Sequence, residues 1–107
     1  MNFQSKFHGY TTMTDGRITV FLEGDFDLSA ASEFRTLIEP WLHRKDRVLV
    51  LNLRKLKYLD SSGIGFIVSV LKSRNETGAE LVVEEIPDKI KRLLDMTGVT
   101  PYLTQSQ

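Results

Sequence analysis

The 107-residue chain contains no cysteine, has no net charge and lacks any long apolar run. Without cysteine there is no disulfide, no thiolate zinc site and no cysteine nucleophile, which is typical of a reducing compartment. The fourteen basic and fourteen acidic side chains cancel, so no overall field attracts nucleic acid or an anionic membrane. The apolar stretches are far shorter than the roughly 20 residues of a membrane-spanning helix. We therefore expect a cytoplasmic protein that binds neither nucleic acid nor membrane.

The hydrophobic pattern predicts one domain over residues 1–107 with the element order β-β-α-β-α-β-α. Asp15-Gly16 lies between two extended segments and predicts a hairpin whose central residues both tolerate positive φ. Residues 48–53 form an apolar run, typical of a strand buried on both faces. The two strand-helix-strand units that follow imply parallel neighbours. The prediction is an α/β fold with a mixed sheet of about four to five strands and helices mainly on one face.

Prolines, glycines and capping residues set the expected helix boundaries. The first helix is expected after Asp27 or Ser29 as N-cap, with Pro40 bending or dividing it. Its apolar stripe is Ala30, Phe34, Leu37, Ile38 and Trp41. Pro87 and Gly98 suit the first turn and the end of the last helix. The tail beyond that helix has no predicted element.

Two serines, Ser61 and Ser62, lie where the apolar strand ends and a helical pattern begins. At a helix N-terminus, free N–H groups and the helix dipole favour a negative charge, including a phosphate. A hydrolase could place its nucleophile there, but the preceding Leu59-Asp60 does not match Gly-x-Ser-x-Gly. A phosphate-binding loop would need a Gly-Lys-Ser or Gly-Lys-Thr sequence, which does not follow. Both catalytic and nucleotide-binding interpretations are therefore disfavoured, and a regulatory hydroxyl remains.

Three acidic residues, Asp25, Asp27 and Asp60, follow or end predicted strands. If their loops converge, these carboxylates could surround a divalent ion. The alternative, that they cap helices and shape loops without binding anything, is the better interpretation.

Phe66 is expected to point away from the sheet. The helix after Ser61 is predicted to face the sheet with Ile64, Ile67, Val68 and Leu71. At ~100° per residue, Phe66 then lies on roughly the opposite side, beside Ser62, Ser69 and Ser73. An outward Phe66 is either a single exposed apolar residue or the anchor of a partner-docking surface.

Three segments resemble the STAS-domain anti-sigma factor antagonists. Residues 60–65, Asp-Ser-Ser-Gly-Ile-Gly, resemble the family signature after an apolar strand. Residues 24–27 resemble its Gly-Glu-x-Asp turn, with Asp25 where the family usually has Glu, and residues 90–98 resemble its last helix. The similarity covers nearly the whole chain. It implies a STAS fold over residues 1–107, with no catalysis of its own, no cofactor and no metal.

In that family the unmodified form binds an anti-sigma factor that is also an ATP-dependent serine kinase, and a sigma factor is thereby freed. The kinase phosphorylates the serine after the Asp, here Ser61, which ends the binding; a metal-dependent serine phosphatase restores it. With this resemblance, the expected partner-binding residues are Asp25, Asp27, Asp60, Ser62, Gly63 and Phe66. The chain is expected to be a monomer or a weak dimer. The alternative is a STAS regulatory or scaffold subunit of a transporter or lipid-transport complex.

Overall fold

The computed structural model describes residues 6–106, and within them it contains six strands and three α-helices. The strands are β1 (Phe7–Thr14), β2 (Arg17–Phe26), β3 (Val48–Asn52), β4 (Leu56–Leu59), β5 (Leu81–Glu84) and β6 (Thr104–Ser106). The α-helices are α1 (Ala31–Ile38), α2 (Ser61–Thr77) and α3 (Asp88–Met96). Two short 3₁₀ helices, η1 (Leu28–Ala30) and η2 (Thr100–Tyr102), complete the description.

The strands form one mixed sheet with the path β1-β2-β3-β5-β6, and β4 pairs with β2 off this path. β1 and β2 are antiparallel, whereas every other pair is parallel. The predicted hairpin is confirmed, since Thr14 pairs with Arg17. Only Gly16 takes a positive φ there, 72°, so the prediction of positive φ at Asp15 as well is wrong.

All three helices cover the same face of the sheet, as predicted. Alternate strand residues point towards them and are almost fully buried: Ile18, Val20, Leu22, Leu49, Leu51, Leu81 and Val83. The helices contribute Phe34, Ile38, Ile67, Leu71, Ile90 and Leu94 to the same core. Burying each large apolar side chain contributes about 1.5–3 kcal/mol, so this shared core fixes the helices on the sheet.

The central strand β3 is buried on both faces, which confirms its prediction. Val50 alternates with Leu49 and Leu51, points away from the helices and is fully buried. Arg17 on β2 and Glu84 on β5 approach to 3.9 Å across β3, which lies between them. This ion pair, rather than a layer of helices, extends over the outer face of the strand.

The first helix is shorter than predicted. Its apolar stripe starts in η1, capped by Asp27, and α1 ends at Ile38, two residues before Pro40. Trp41 therefore lies in the turns beyond α1, because Pro40 lacks the N–H that would continue the helix. The C-terminal tail also differs from expectation, since residues 104–106 pair in parallel with β5.

Arg74 fastens the C-terminal half of α2 to the loops around it. The residue is only 1% exposed. It donates hydrogen bonds to the backbone oxygens of Trp41, Leu42, Arg44, Arg47 and Glu80, with distances of 2.7–3.5 Å. Burial lowers the pKa of this group, although an arginine stays protonated in proteins. The charged side chain thus satisfies carbonyl groups of residues 41–47, the connector between α1 and β3.

Candidate functional site

The carboxyl ends of β2 and β4 lie side by side. In their parallel register, Asp25 pairs with Tyr58 and Phe26 pairs with Leu59. Asp27 directly follows β2 and is the N-cap of η1, and Asp60 directly follows β4 and is the N-cap of α2. The sequence left open whether these loops converge, and the pairing of the two strands brings their backbones together.

Asp60 defines where α2 begins. Its Oδ1 accepts hydrogen bonds from the backbone N–H groups of Ser62, at 2.9 Å, and Gly63, at 3.1 Å. The Ile64 N–H donates to the Asp60 carbonyl oxygen at 3.0 Å. The sequence predicted free N–H groups here that could take up a phosphate. That expectation needs correction, because the Asp60 carboxylate already occupies two of them.

Asp27 holds the neighbouring turn in the same way. Its Oδ1 accepts a hydrogen bond from the Ser29 N–H at 2.9 Å and another from the Ser29 hydroxyl at 2.5 Å. Ala30 donates its N–H to the Asp27 carbonyl oxygen at 3.0 Å, which closes the 3₁₀ turn. Of the three aspartates expected to cap helices and shape loops, Asp27 and Asp60 therefore each cap a helix.

Ser61 is exposed as the first residue of α2. Within residues 6–106 its hydroxyl makes no hydrogen bond, and neither histidine is hydrogen-bonded to it. A serine nucleophile would need an adjacent base. The Ser61 hydroxyl is therefore accessible from outside the molecule and has no adjacent base within the described residues.

The three carboxylates around Ser61 have no cation paired with them in the described part of the chain. Asp25, Asp27 and Asp60 are half-buried, and the ion pairs found involve Glu84 and Asp46 instead. Nor does any group of three or more His, Asp or Glu residues between positions 6 and 106 have the arrangement of a metal site. The alternative of a divalent-ion site at these aspartates has no support.

Gly63 is buried and lets α2 approach β2 closely. A Cβ at this position would lie 2.2 Å from the Phe26 carbonyl oxygen and 2.6 Å from Leu59 Cδ1. A Cβ at Gly65, two residues later, would meet nothing within 4 Å. Gly63 was predicted to contact a partner, but its burial makes it a packing residue between α2 and the sheet.

Phe66 does not point away from the sheet, so that prediction is wrong. Its ring centroid lies 5.5 Å from that of Phe26 and 6.0 Å from that of Phe34. The fully buried face of α2 consists of Gly63, Ile67, Val70, Leu71 and Arg74. At ~100° per residue, this face is rotated by about 60° from the predicted one. Phe66 therefore lies on the flank of α2 that faces α1.

A groove between α1 and α2 begins beside the turn that carries Ser61. We call it the α1–α2 groove; it has a volume of about 260 Å³ and is lined mainly by Phe34, Ile38, Leu42, Phe66 and Val70. Leu28, 69% exposed in η1, stands at the same end as Ser61 because η1 packs against α2. Leu28 was not among the predicted partner-binding residues, although its apolar side chain between Asp27 and Ser29 was a signal for it.

These features define a regulatory binding module: a mixed sheet covered by helices on one face, with an exposed serine at a capped strand-to-helix turn. No helix within residues 6–106 has the length and apolar character needed to cross a bilayer. The chain belongs to the STAS domain family, whose model matches residues 11–106. Its class is that of regulatory binding proteins and not of enzymes, as predicted.

Known proteins with similar sequence or structure agree with this assignment. The chain is 32% identical over 89 residues to the anti-sigma-B factor antagonist of Staphylococcus aureus strain NCTC 8325, covering 83% of this chain and 82% of that protein. A Thermotoga maritima protein superposes with a TM-score of 0.83 at 19% identity, covering 92% of this chain and 86% of its own.

The Bacillus anti-sigma factor antagonist SpoIIAA also has this fold. Its unphosphorylated form superposes with a TM-score of 0.76 and its phosphorylated form with 0.71, each at 17% identity. Both cover 94% of this chain, and the chain covers 89% and 92% of them. At this identity the likeness establishes the shared fold, which includes the predicted mixed sheet and single face of helices.

Proposed function

We propose that this chain is a cytoplasmic anti-sigma factor antagonist controlled by phosphorylation of Ser61. In its unmodified form it binds an anti-sigma factor that is a serine kinase, so that a sigma factor is freed. Phosphorylation of Ser61 by that kinase ends the binding, and a metal-dependent serine phosphatase restores it. The observation that carries this proposal is the exposed Ser61 hydroxyl, which has no base of its own and follows the capping residue Asp60.

The capped turn supports a switch that acts without refolding. Asp60 already bonds the N–H groups of Ser62 and Gly63, so α2 needs no phosphate to begin where it does. A phosphate on Ser61 adds roughly −1.5 to −2 charges at neutral pH. Because Asp60 occupies the amides of Ser62 and Gly63, that charge is expected to project from the turn into the space where a partner would bind.

The charge around Ser61 supports release by repulsion and steric blocking. Asp25, Asp27 and Asp60 belong to the two adjacent strand ends, and none of them is ion-paired within residues 6–106. A phosphate there adds to carboxylates with which no cation of the described residues forms an ion pair. Unfavourable charge contacts across an interface cost several kcal/mol, enough to end a moderate-affinity complex.

The decisive experiment compares Ser61→Asp with Ser61→Ala in titration calorimetry against the cognate kinase. We expect Ser61→Asp to bind about 100-fold more weakly, a change of ~2.7 kcal/mol, with an unchanged circular dichroism spectrum. Ser61→Ala should bind like the wild type and take no phosphate. Ser62→Ala is the matched control and should still be phosphorylated when incubated with the kinase and ATP.

Two results would contradict the proposal. Peptide mass spectrometry that finds the phosphate on Ser62 would remove Ser61 as the acceptor. Co-purification with a membrane transport complex, and with no anti-sigma factor kinase, would instead support the alternative role as a transporter or lipid-transport subunit.

A further inference from the structure

The α1–α2 groove has an apolar floor and a polar rim. Its five large apolar side chains come from α1, from the connector after it and from α2. The rim carries Arg35 and Glu39 on one side and Ser69 and Ser73 on the other. A desolvated apolar centre surrounded by polar residues is the usual anatomy of a protein-protein interface.

The groove is continuous with the turn that carries Ser61. Residues three apart are eclipsed in a 3₁₀ helix, so exposed Leu28 lies in line with Ala31, which lines the groove. On α2, residues four and three apart share a face, so Ser62, Phe66 and Ser69 follow one another along the groove. A track of apolar and small polar side chains therefore runs from the Ser61 turn into the space between the two helices.

Both ends of this track are held rigidly. Near Ser61, Asp27 bonds both the N–H and the hydroxyl of Ser29 and so fixes the turn that presents Leu28. At the far end, Arg74 donates to the carbonyl oxygen of Leu42 and to its neighbours in the connector. A preformed site loses less entropy on binding than one that must first become ordered.

We propose that the α1–α2 groove receives an apolar segment of the same anti-sigma factor kinase that modifies Ser61. This inference rests on the proposed function. A partner that covers the Ser61 turn also reaches Leu28, and large apolar side chains following that contact would continue onto Phe34 and Phe66. The groove contact supplies affinity, whereas the phosphate on Ser61 controls whether the kinase can cover the Ser61 turn.

The test introduces an arginine at the rim and measures kinase affinity. Ser69 is exposed on α2, so Ser69→Arg should fold normally while its long cationic side chain obstructs the groove. Asn75→Arg is the matched control, because Asn75 is exposed on the same helix but lines a different surface, near Tyr102. We expect about tenfold weaker binding for Ser69→Arg, about tenfold for Leu28→Ser, and less than about twofold for Asn75→Arg.

The outcomes separate this inference from the proposed function. If Ser69→Arg binds like the wild type while Ser61→Asp loses binding, the groove contact is refuted and the phosphorylation switch stands. If the wild type neither binds the kinase nor accepts phosphate, the proposed function itself fails. If sedimentation shows that Ser69→Arg converts a dimer to a monomer with kinase affinity unchanged, a second copy occupies the groove and the inference is overturned.

Discussion

The two ends of α2 are anchored in opposite ways. At the N-terminus, the first turn is held by a single carboxylate. Asp60 accepts hydrogen bonds there from the N–H groups of Ser62 and Gly63. At the C-terminus, the buried guanidinium of Arg74 bonds to carbonyl groups from the α1–β3 connector and from Glu80. The helix is thus fixed mainly at the end far from Ser61. The other end can gain or lose a phosphate while the helix keeps its place.

A glycine lies at each end of α2. The first turn contains Ser61, Ser62 and Gly63, and Gly63 allows close packing on β2. The last turn ends at Gly78, which takes φ 80° and donates its N–H to the Asn75 carbonyl oxygen. A positive side chain close to a helix C-terminus also interacts favourably with the helix dipole. Each end therefore has the charge sign that a helix prefers, but only the C-terminal charge is buried.

Arg74→Met should produce the largest loss of stability, because it leaves several backbone carbonyl groups without their donor. Hydrogen bonds to charged groups contribute about 1.5–3 kcal/mol each, and their effects are not additive. We expect a loss of about 3–5 kcal/mol, measured by urea denaturation. At low temperature the folded fraction should still be phosphorylated on Ser61, since Arg74 holds only the far end of the α1–α2 groove.

Lys72→Met is the matched control for Arg74. Lys72 is an exposed cation on the same helix, and its replacement should change stability by less than about 0.5 kcal/mol. Arg74→Lys should give an intermediate loss, because a single ammonium cannot reach all the carbonyl groups. Equal stability of Arg74→Met and Lys72→Met would refute the view that this end of α2 is the anchored one.

Gly63→Ala and Gly65→Ala test how tightly the N-terminal end is packed. The Cβ at position 63 would collide with the Phe26 carbonyl oxygen, which belongs to β2 and cannot move easily. We expect a loss of about 1–3 kcal/mol in the free energy of unfolding. Gly65→Ala, in open space on the same helix, should be neutral or stabilising by up to about 1 kcal/mol. If both variants behaved alike, close packing at Gly63 would not be what holds the first turn of α2 against β2.

Most of the fold could be predicted because its patterns are local. The hairpin at Asp15-Gly16, the apolar strand β3 and the helix between Pro87 and Gly98 each combine a hydrophobic period with a turn or capping signal. Strands β4 and β6 could not be predicted, since they are short and depend on pairing with strands that are distant in sequence. β4 pairs with β2 on both sides of a register shift between Gly24 and Asp25, which leaves no mark on residues 56–59 themselves.

The position of the site in the chain could be predicted, but the side chains that form its surface could not. Ser61 at a strand-to-helix turn and the capping aspartates follow from residue types and spacing. The orientation of Phe66 could not be predicted, because it depends on which face of α2 is buried. An arginine in a helical pattern is ordinarily exposed, so the sequence gives no sign that Arg74 lies on the buried face. Burial of Arg74, compensated by carbonyl groups more than 25 residues away in sequence, turns the buried face of α2 and directs Phe66 towards α1.

Asp60→Ala and Asp60→Asn should have the smallest effects. Alanine removes the bonds to Ser62 and Gly63 and should cost about 0.5–2 kcal/mol, whereas asparagine keeps an acceptor and should cost much less. Equal losses in urea denaturation would mean that the charge of Asp60, and not its hydrogen bonds, stabilises the turn.

The same pair of variants tests why phosphorylation leaves the fold unchanged. In the wild type, Asp60 occupies the two amides, so a phosphate on Ser61 should add little stability. In Asp60→Ala those amides are free, and the phosphate should bond them and stabilise the protein by about 0.3–1 kcal/mol. If phosphorylation stabilised the wild type just as much, the phosphate would be bound at the helix N-terminus after all. Release of a partner would then depend on lost access to the Ser61 turn, because the added charge would no longer project from it.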